Sequence, residues 1–155
     1  MPDDLYERDF YAWAMREAGL LQRLARGDRV NDVLDAANLA EEIESLGRSE
    51  KRELSNRLRV LLLHLLKWQY QPERRGASWR ATIRDQRYGI ETVLEESPSL
   101  RPNFPDAIAT AYNRTLPNAS DETGLSRKTF PTTCPYTPEQ ILDHDFPPEL
   151  SLDPT

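Results

Sequence analysis

The chain has 155 residues, with 26 Asp and Glu against 20 Lys and Arg, two His, one Cys and twelve Pro, for a formal net charge of −6. That length suits a single domain able to bury a core without disulfide or metal staples, and 38 % hydrophobic against 30 % charged residues, with three Trp, six Tyr and four Phe, excludes wholesale disorder. The longest apolar stretch, Val60 to Leu66, carries His64 in its middle and falls far short of the ~20 residues a bilayer demands. No membrane association is therefore expected. The acidic opening MPDDLYERDF is unlike a secretory signal, so a cytoplasmic location is expected, and Cys134 alone makes no internal disulfide or cysteine-based metal site.

The net charge conceals three zones. Residues 1–50 carry −6, residues 51–90 carry +7 and residues 91–155 carry −7, so a basic band lies between acidic flanks. Ten of the twelve prolines lie at or beyond Pro98, which predicts long helices before that point and short, punctuated ones after it.

A first helix is expected from about Asp4 to Arg26, with Leu5, Phe10, Trp13, Leu20, Leu21 and Leu24 at roughly helical spacing and Gly27 as its stop. Asp35 is the expected N-cap of a second helix from Ala36 to Gln71, whose early turns hold Glu41, Glu42 and Glu44 against the positive end of the helix dipole. Ile43, Leu54, Leu58, Leu61, Leu65 and Trp68 fall close to one line at 100° per residue, a packing seam. From Val60 to Leu66 the apolar residues surround the helix, which belongs at the centre of a bundle, and Gly47 is the point where a kink or break would occur. Ser78 is the expected cap of a third helix to about Glu96, with a seam of Trp79, Ile83, Ile90, Val93 and Leu94 that includes the amide of Gln86. Pro105 starts a fourth helix to about Leu116, and a short helix from Pro138 to Leu142 interrupts an extended, proline-rich tail. The expectation is an all-α compact bundle of four or five helices without significant β-sheet, one domain over 1–155, with its core at about 4–116 and its tail at about 117–155 packed on the surface.

Three groups of residues are candidates for chemistry. Glu41, Glu42 and Glu44 lack the Glu-x-x-His spacing of di-metal bundles, and Glu42 lies about 33 Å from His64 along a straight helix. They read as dipole compensation on a solvated face, and no metal or other cofactor is expected. His64 sits in the all-apolar stretch and reads first as a satisfied core residue. With Arg59 (Arg-x4-His) or Arg57 (Arg-x6-His) it resembles the active-site motif of the HEPN ribonucleases, in which a His moves a ribose hydroxyl proton and a guanidinium stabilises developing phosphate charge. Seven residues return Arg57 to within about 20° of His64 around one straight helix, whereas five leave Arg59 about 140° away. The basic band supplies Lys67, Arg80, Arg84 and Arg87 as candidate binding residues, interleaved with Trp68, Trp79 and Tyr88. Pairing with the acidic flanks is the simpler use of these cations.

The order Tyr6-x-x-Asp9-Phe10-Tyr11-x-Trp13, Leu39-x-Glu41-Glu42-Ile43-Glu44-x-Leu46-Gly47, His64-Leu-Leu-Lys67-Trp68-x-x-Gln71-Pro72, Ser78-Trp79-x-x-Thr82-Ile83-x-x-Gln86-Arg87, Pro98-Ser-Leu100 and Cys134-Pro-Tyr resembles a bacterial family, domain of unknown function 29, from about Leu5 to Pro148. The resemblance implies one all-helical domain and carries over no catalytic residue. The expectation is then a non-catalytic binding or accessory protein that self-associates or takes a protein partner. A metal-independent ribonuclease and nucleic-acid binding through residues 51–90 stand as alternatives.

Overall fold

The computed structural model describes residues 4–151, and every regular element among them is helical. Six α-helices follow in chain order: α1 (Leu5–Arg8), α2 (Phe10–Ala25), α3 (Ala36–Tyr70), α4 (Ala77–Glu96), α5 (Phe104–Thr123) and α6 (Pro138–Leu142). The all-α class is as expected, and no described helix is long and apolar enough to cross a membrane. The last four residues of the proline-rich tail, 152–155, lie outside the described residues. The chain divides into two compact units, Met1–Arg48 and Ser49–Thr155, and α3 contributes residues to both.

In the first unit the expected opening helix is split, which raises the number of helices to six. Asp9 takes an extended conformation (φ −149°, ψ 88°) and its carboxylate accepts from Ala12 N at 3.0 Å, so it ends α1 and caps α2. Gly27, at φ 83°, adopts the left-handed conformation just past the end of α2. Trp13 and Leu20 are buried, with Tyr6 and Phe10 edge-on or tilted against Trp13 at 4.8 and 5.6 Å. Asp35 caps α3 as expected: it accepts from Asn38 N and from the indole N–H of Trp13 at 3.0 Å, while its own N–H donates to the buried Glu17. The Asn38 amide is the main force holding the Asp35 carboxyl below its ordinary value.

Helix α3 runs through Gly47 without interruption. Its expected seam begins only at Leu54, because Ile43 is 66 % exposed and Leu46 69 %. From Leu54 the apolar residues are sealed: Leu58, Leu61, Leu62, Leu65 and Leu66 are fully buried and Trp68 nearly so. Against them pack Ile83, Ile90, Val93 and Leu94 of α4 and Phe104, Ile108, Ala111, Tyr112 and Ala119 of α5. Gly89 allows Arg57 of α3 to cross α4 closely, since a Cβ there would overlap the Arg57 guanidinium.

Three local expectations are corrected. Gly76, not Ser78, occupies the cap position of α4, and Ser78 lies in the first turn, where its carbonyl accepts from the Thr82 hydroxyl. Helix α5 does not end at Leu116 but continues through Pro117 to Thr123, closed by Gly124 at φ 72°. Burial of Leu116 and Ala119 on either side of Pro117 offsets the roughly 3 kcal/mol that an interior proline costs. The segment after α5 is not confined to the surface, because Phe130, Tyr136 and Ile141 are core residues.

Candidate functional site

His64 is half-buried on α3, and its Nδ1 lies 2.8 Å from the carbonyl oxygen of Val60, one turn back. A carbonyl only accepts, so Nδ1 carries the proton and Nε2 is the lone-pair nitrogen of the neutral ring. Burial is the main cause pushing this imidazole below its ordinary value, with the Lys67 charge adding to it. Arg57 pairs with Glu53 at 3.0 Å and reaches Gln86 of α4 at 3.4 Å. Its guanidinium is thus drawn one turn towards the N-terminus, away from His64. Arg59 lines a hollow shared with Asn118 of α5, while Arg57 lines a different one with Gln86, and His64 lines neither. Neither arginine shares a hydrogen bond or one of these two hollows with His64 among the described residues.

The acidic and basic zones find partners close at hand. Glu42 accepts the Tyr6 hydroxyl at 2.5 Å, which pushes that phenol up to about 12, and Glu41 and Glu44 pair with Arg48. Lys67 lies 3.7 Å from Glu122 of α5 and 5.0 Å from the centre of the Trp79 ring.

Arg80, Arg84 and Arg87 share one face of α4 by their spacing of four and three residues, and all three line a cavity of about 250 Å³. Ile83, Tyr88, His144 and Leu150 also line it, with no carboxylate among the described lining residues, although the charges of Asp143 and Glu91 act on Arg87 from nearby. The three guanidinium groups have different surroundings. Arg87 is fully buried, donates from Nε to Ile141 O at 2.8 Å and from Nη2 to Gln140 O at 3.1 Å, and thereby satisfies carbonyls at the end of α6. Burial brings its guanidinium down to about 10, so it remains cationic at neutral pH. Arg80 lies over the Trp68 ring at 5.6 Å, and Arg84 is an exposed side chain paired only loosely with its neighbour Asp85. His144 reaches Glu91 at 2.7 Å and stacks on Tyr88 at 4.6 Å.

The arginine spacing was readable along the chain, whereas His144 was not, because nothing in Asp143-His-Asp145 marks a residue that returns to α4. A second cavity, where Arg75 meets Trp68, Tyr136 and Phe146, was also missed. Its signal was faint: Trp68 and Tyr136 belong to separate sequence blocks that carry the resemblance, and only folding joins them.

The family model described as Domain of unknown function DUF29 matches residues 5–147. No curated protein and no solved structure matches the chain. The matched span includes every α-helix and the cavity wall as far as His144, and leaves Leu150 just outside.

Proposed function

Because this chain belongs to the DUF29 family, whose description assigns no activity, we propose from the site alone that it is a non-catalytic binding protein whose cavity on α4 receives an anionic group. The observation that carries this reading is the convergence of Arg80, Arg84 and Arg87 on one cavity whose lining, among the described residues, holds no carboxylate. An anion entering it meets several guanidinium groups beside Ile83 and Leu150, and hydrogen bonds between charged partners are stronger than neutral ones. That His64 shares neither a hydrogen bond nor one of those two hollows with Arg57 or Arg59 weighs against the ribonuclease reading.

Thermal unfolding at low ionic strength provides the test, with pyrophosphate as the probe. The expected result is a rise in Tm that 0.3 M salt suppresses and Arg84→Gln reduces. No rise, or an equal rise in the variant, would overturn the assignment. A nucleic acid as the anion predicts affinity for a single-stranded oligonucleotide that falls steeply with salt. EDTA-resistant cleavage of RNA, abolished by His64→Ala in folded protein, would replace the binding reading with the enzymatic one.

A second reading, association with another copy or with a partner protein, is favoured by exposed apolar residues in Met1–Arg48: Tyr11 is 75 % exposed, and Ile43 and Leu46 lie three residues apart on α3. Self-association predicts a dimer mass in light scattering that Ile43→Lys with Leu46→Lys returns to that of a monomer.

A further inference from the structure

The cavity where Trp68, Tyr136 and Phe146 meet has a volume of about 310 Å³, near the lower end of the roughly 300–1,000 Å³ typical of small-molecule sites. Aromatic rings and three prolines make up much of its wall, with the amides of Gln69 and Gln140 beside them. One cation reaches it. Arg75 donates from Nε to the carbonyl oxygen of Trp68 at 2.7 Å and lies 5.2 Å from the centre of the same residue's ring. These two contacts hold the guanidinium in place, and its Nη1 and Nη2 have no hydrogen-bond partner among the described residues. The Trp68 side chain, almost fully buried, also carries an indole N–H without an acceptor there. Tyr136 spends its hydroxyl proton on Gln69 at 2.7 Å, so it offers an aromatic surface in place of a competing donor.

A planar cation with its two terminal nitrogens open and its Nε occupied presents the end of the guanidinium fork, which matches the two oxygens of a carboxylate. The surrounding rings match an aromatic body, and the volume admits one ring system with a short linker. We infer that this cavity binds a small aromatic monocarboxylate, its carboxylate on Nη1 and Nη2 of Arg75 and its ring among Trp68, Tyr136 and Phe146. Glu149 also lines the cavity, and no ion pair joins it to Arg75 among the described residues. Its negative charge opposes the same ligand and sets a brake on affinity. This inference does not depend on the cavity of Arg80, Arg84 and Arg87.

The experiment is calorimetric titration of the full chain with 3-phenylpropionate, with 3-phenylpropanamide as the uncharged analogue and N-acetylphenylalanine as a mimic of a chain's C-terminal residue. The carboxylate is expected to bind and the amide to bind at least about tenfold more weakly, the loss that accompanies removal of a charge-assisted hydrogen-bonded pair. Arg75→Gln is expected to abolish the preference for the carboxylate. Because that substitution also removes the bond to Trp68 O, which helps hold the loop, Glu149→Gln supplies a second arm: it leaves Arg75 intact and is expected to tighten binding several-fold. Binding of N-acetylphenylalanine comparable to that of 3-phenylpropionate assigns the site to a chain terminus, and markedly weaker binding assigns it to a free acid. No binding of either carboxylate at millimolar concentration, equal binding of the amide, or unchanged affinity in Glu149→Gln would overturn the inference.

Discussion

His64 illustrates how one side chain can be well placed in a sequence pattern and yet be occupied elsewhere. Its Nδ1 proton is committed to the Val60 carbonyl, and its surroundings disfavour the charged ring. The consequence for stability has a definite sign. The unfolded chain's imidazole titrates near its ordinary value of 6.5, while the folded ring takes up its proton only at lower pH. Below 6.5 the unfolded state therefore binds more protons, and stability falls as the pH drops towards the folded value. Urea unfolding at pH 7.5 and pH 5.5 should show a smaller acid loss for His64→Gln than for the parent protein. Equal losses in the two proteins would show that the ring is not the group responsible. Legibility at this position was partial: the apolar setting of His64 was evident along the chain, but its bond to Val60 and the turn of Arg57 towards Glu53 and Gln86 are outcomes of packing.

Local signals in the helices succeeded where a single residue type answered a helix end. The Asp35 carboxylate at the start of α3 and the left-handed backbone of Gly27 after α2 are such cases, and so is the short α6, where Thr137 and Gln140 form a reciprocal capping box. They failed where burial overrode local preference. Pro117 stays inside α5 because neighbouring residues are in the core, and Ser78 lies within α4 although its type favours a cap. Helix α6 depends on both kinds of support, since five residues cannot hold a helix alone and Arg87 bonds two of its carbonyls from α4. Arg87→Met keeps much of the volume, strands the buried oxygen of Ile141 and leaves that of Gln140 with only the Asp143 N–H. The expected cost is about 2–4 kcal/mol in global unfolding. Loss of amide protection in residues 138–142 beyond the global change would show that α6 opens first. A variant as stable as the parent would mean that those carbonyls find other donors.

The two compact units differ in what they bury. In Met1–Arg48 only Trp13, Glu17 and Leu20 are buried within α2, and large apolar residues such as Phe10 and Met15 remain more than half exposed. In Ser49–Thr155 a continuous core unites α3, α4, α5 and the segment after them. Hydrogen exchange is therefore expected to be much slower for residues 58–66 than for residues 10–25, because opening the latter exposes little apolar surface. Comparable protection in both segments would show that α2 is covered by something the intact chain acquires in solution.

The all-helical class, the central place of Val60 to Leu66 and the face shared by Arg80, Arg84 and Arg87 follow from periodicity and spacing, which are properties of one helix at a time. The net charge of −6 resolves, in three dimensions, into acids paired near their own helices and a cavity on α4 whose described lining holds three arginines and no carboxylate. That cavity needs His144 and Leu150, and the Arg75 cavity needs Tyr136 and Phe146, all brought back from the proline-rich segment. No local rule specifies such returns. They arise because Phe130, Tyr136 and Ile141 have apolar surface to bury, and the helices of the core are where it can be buried.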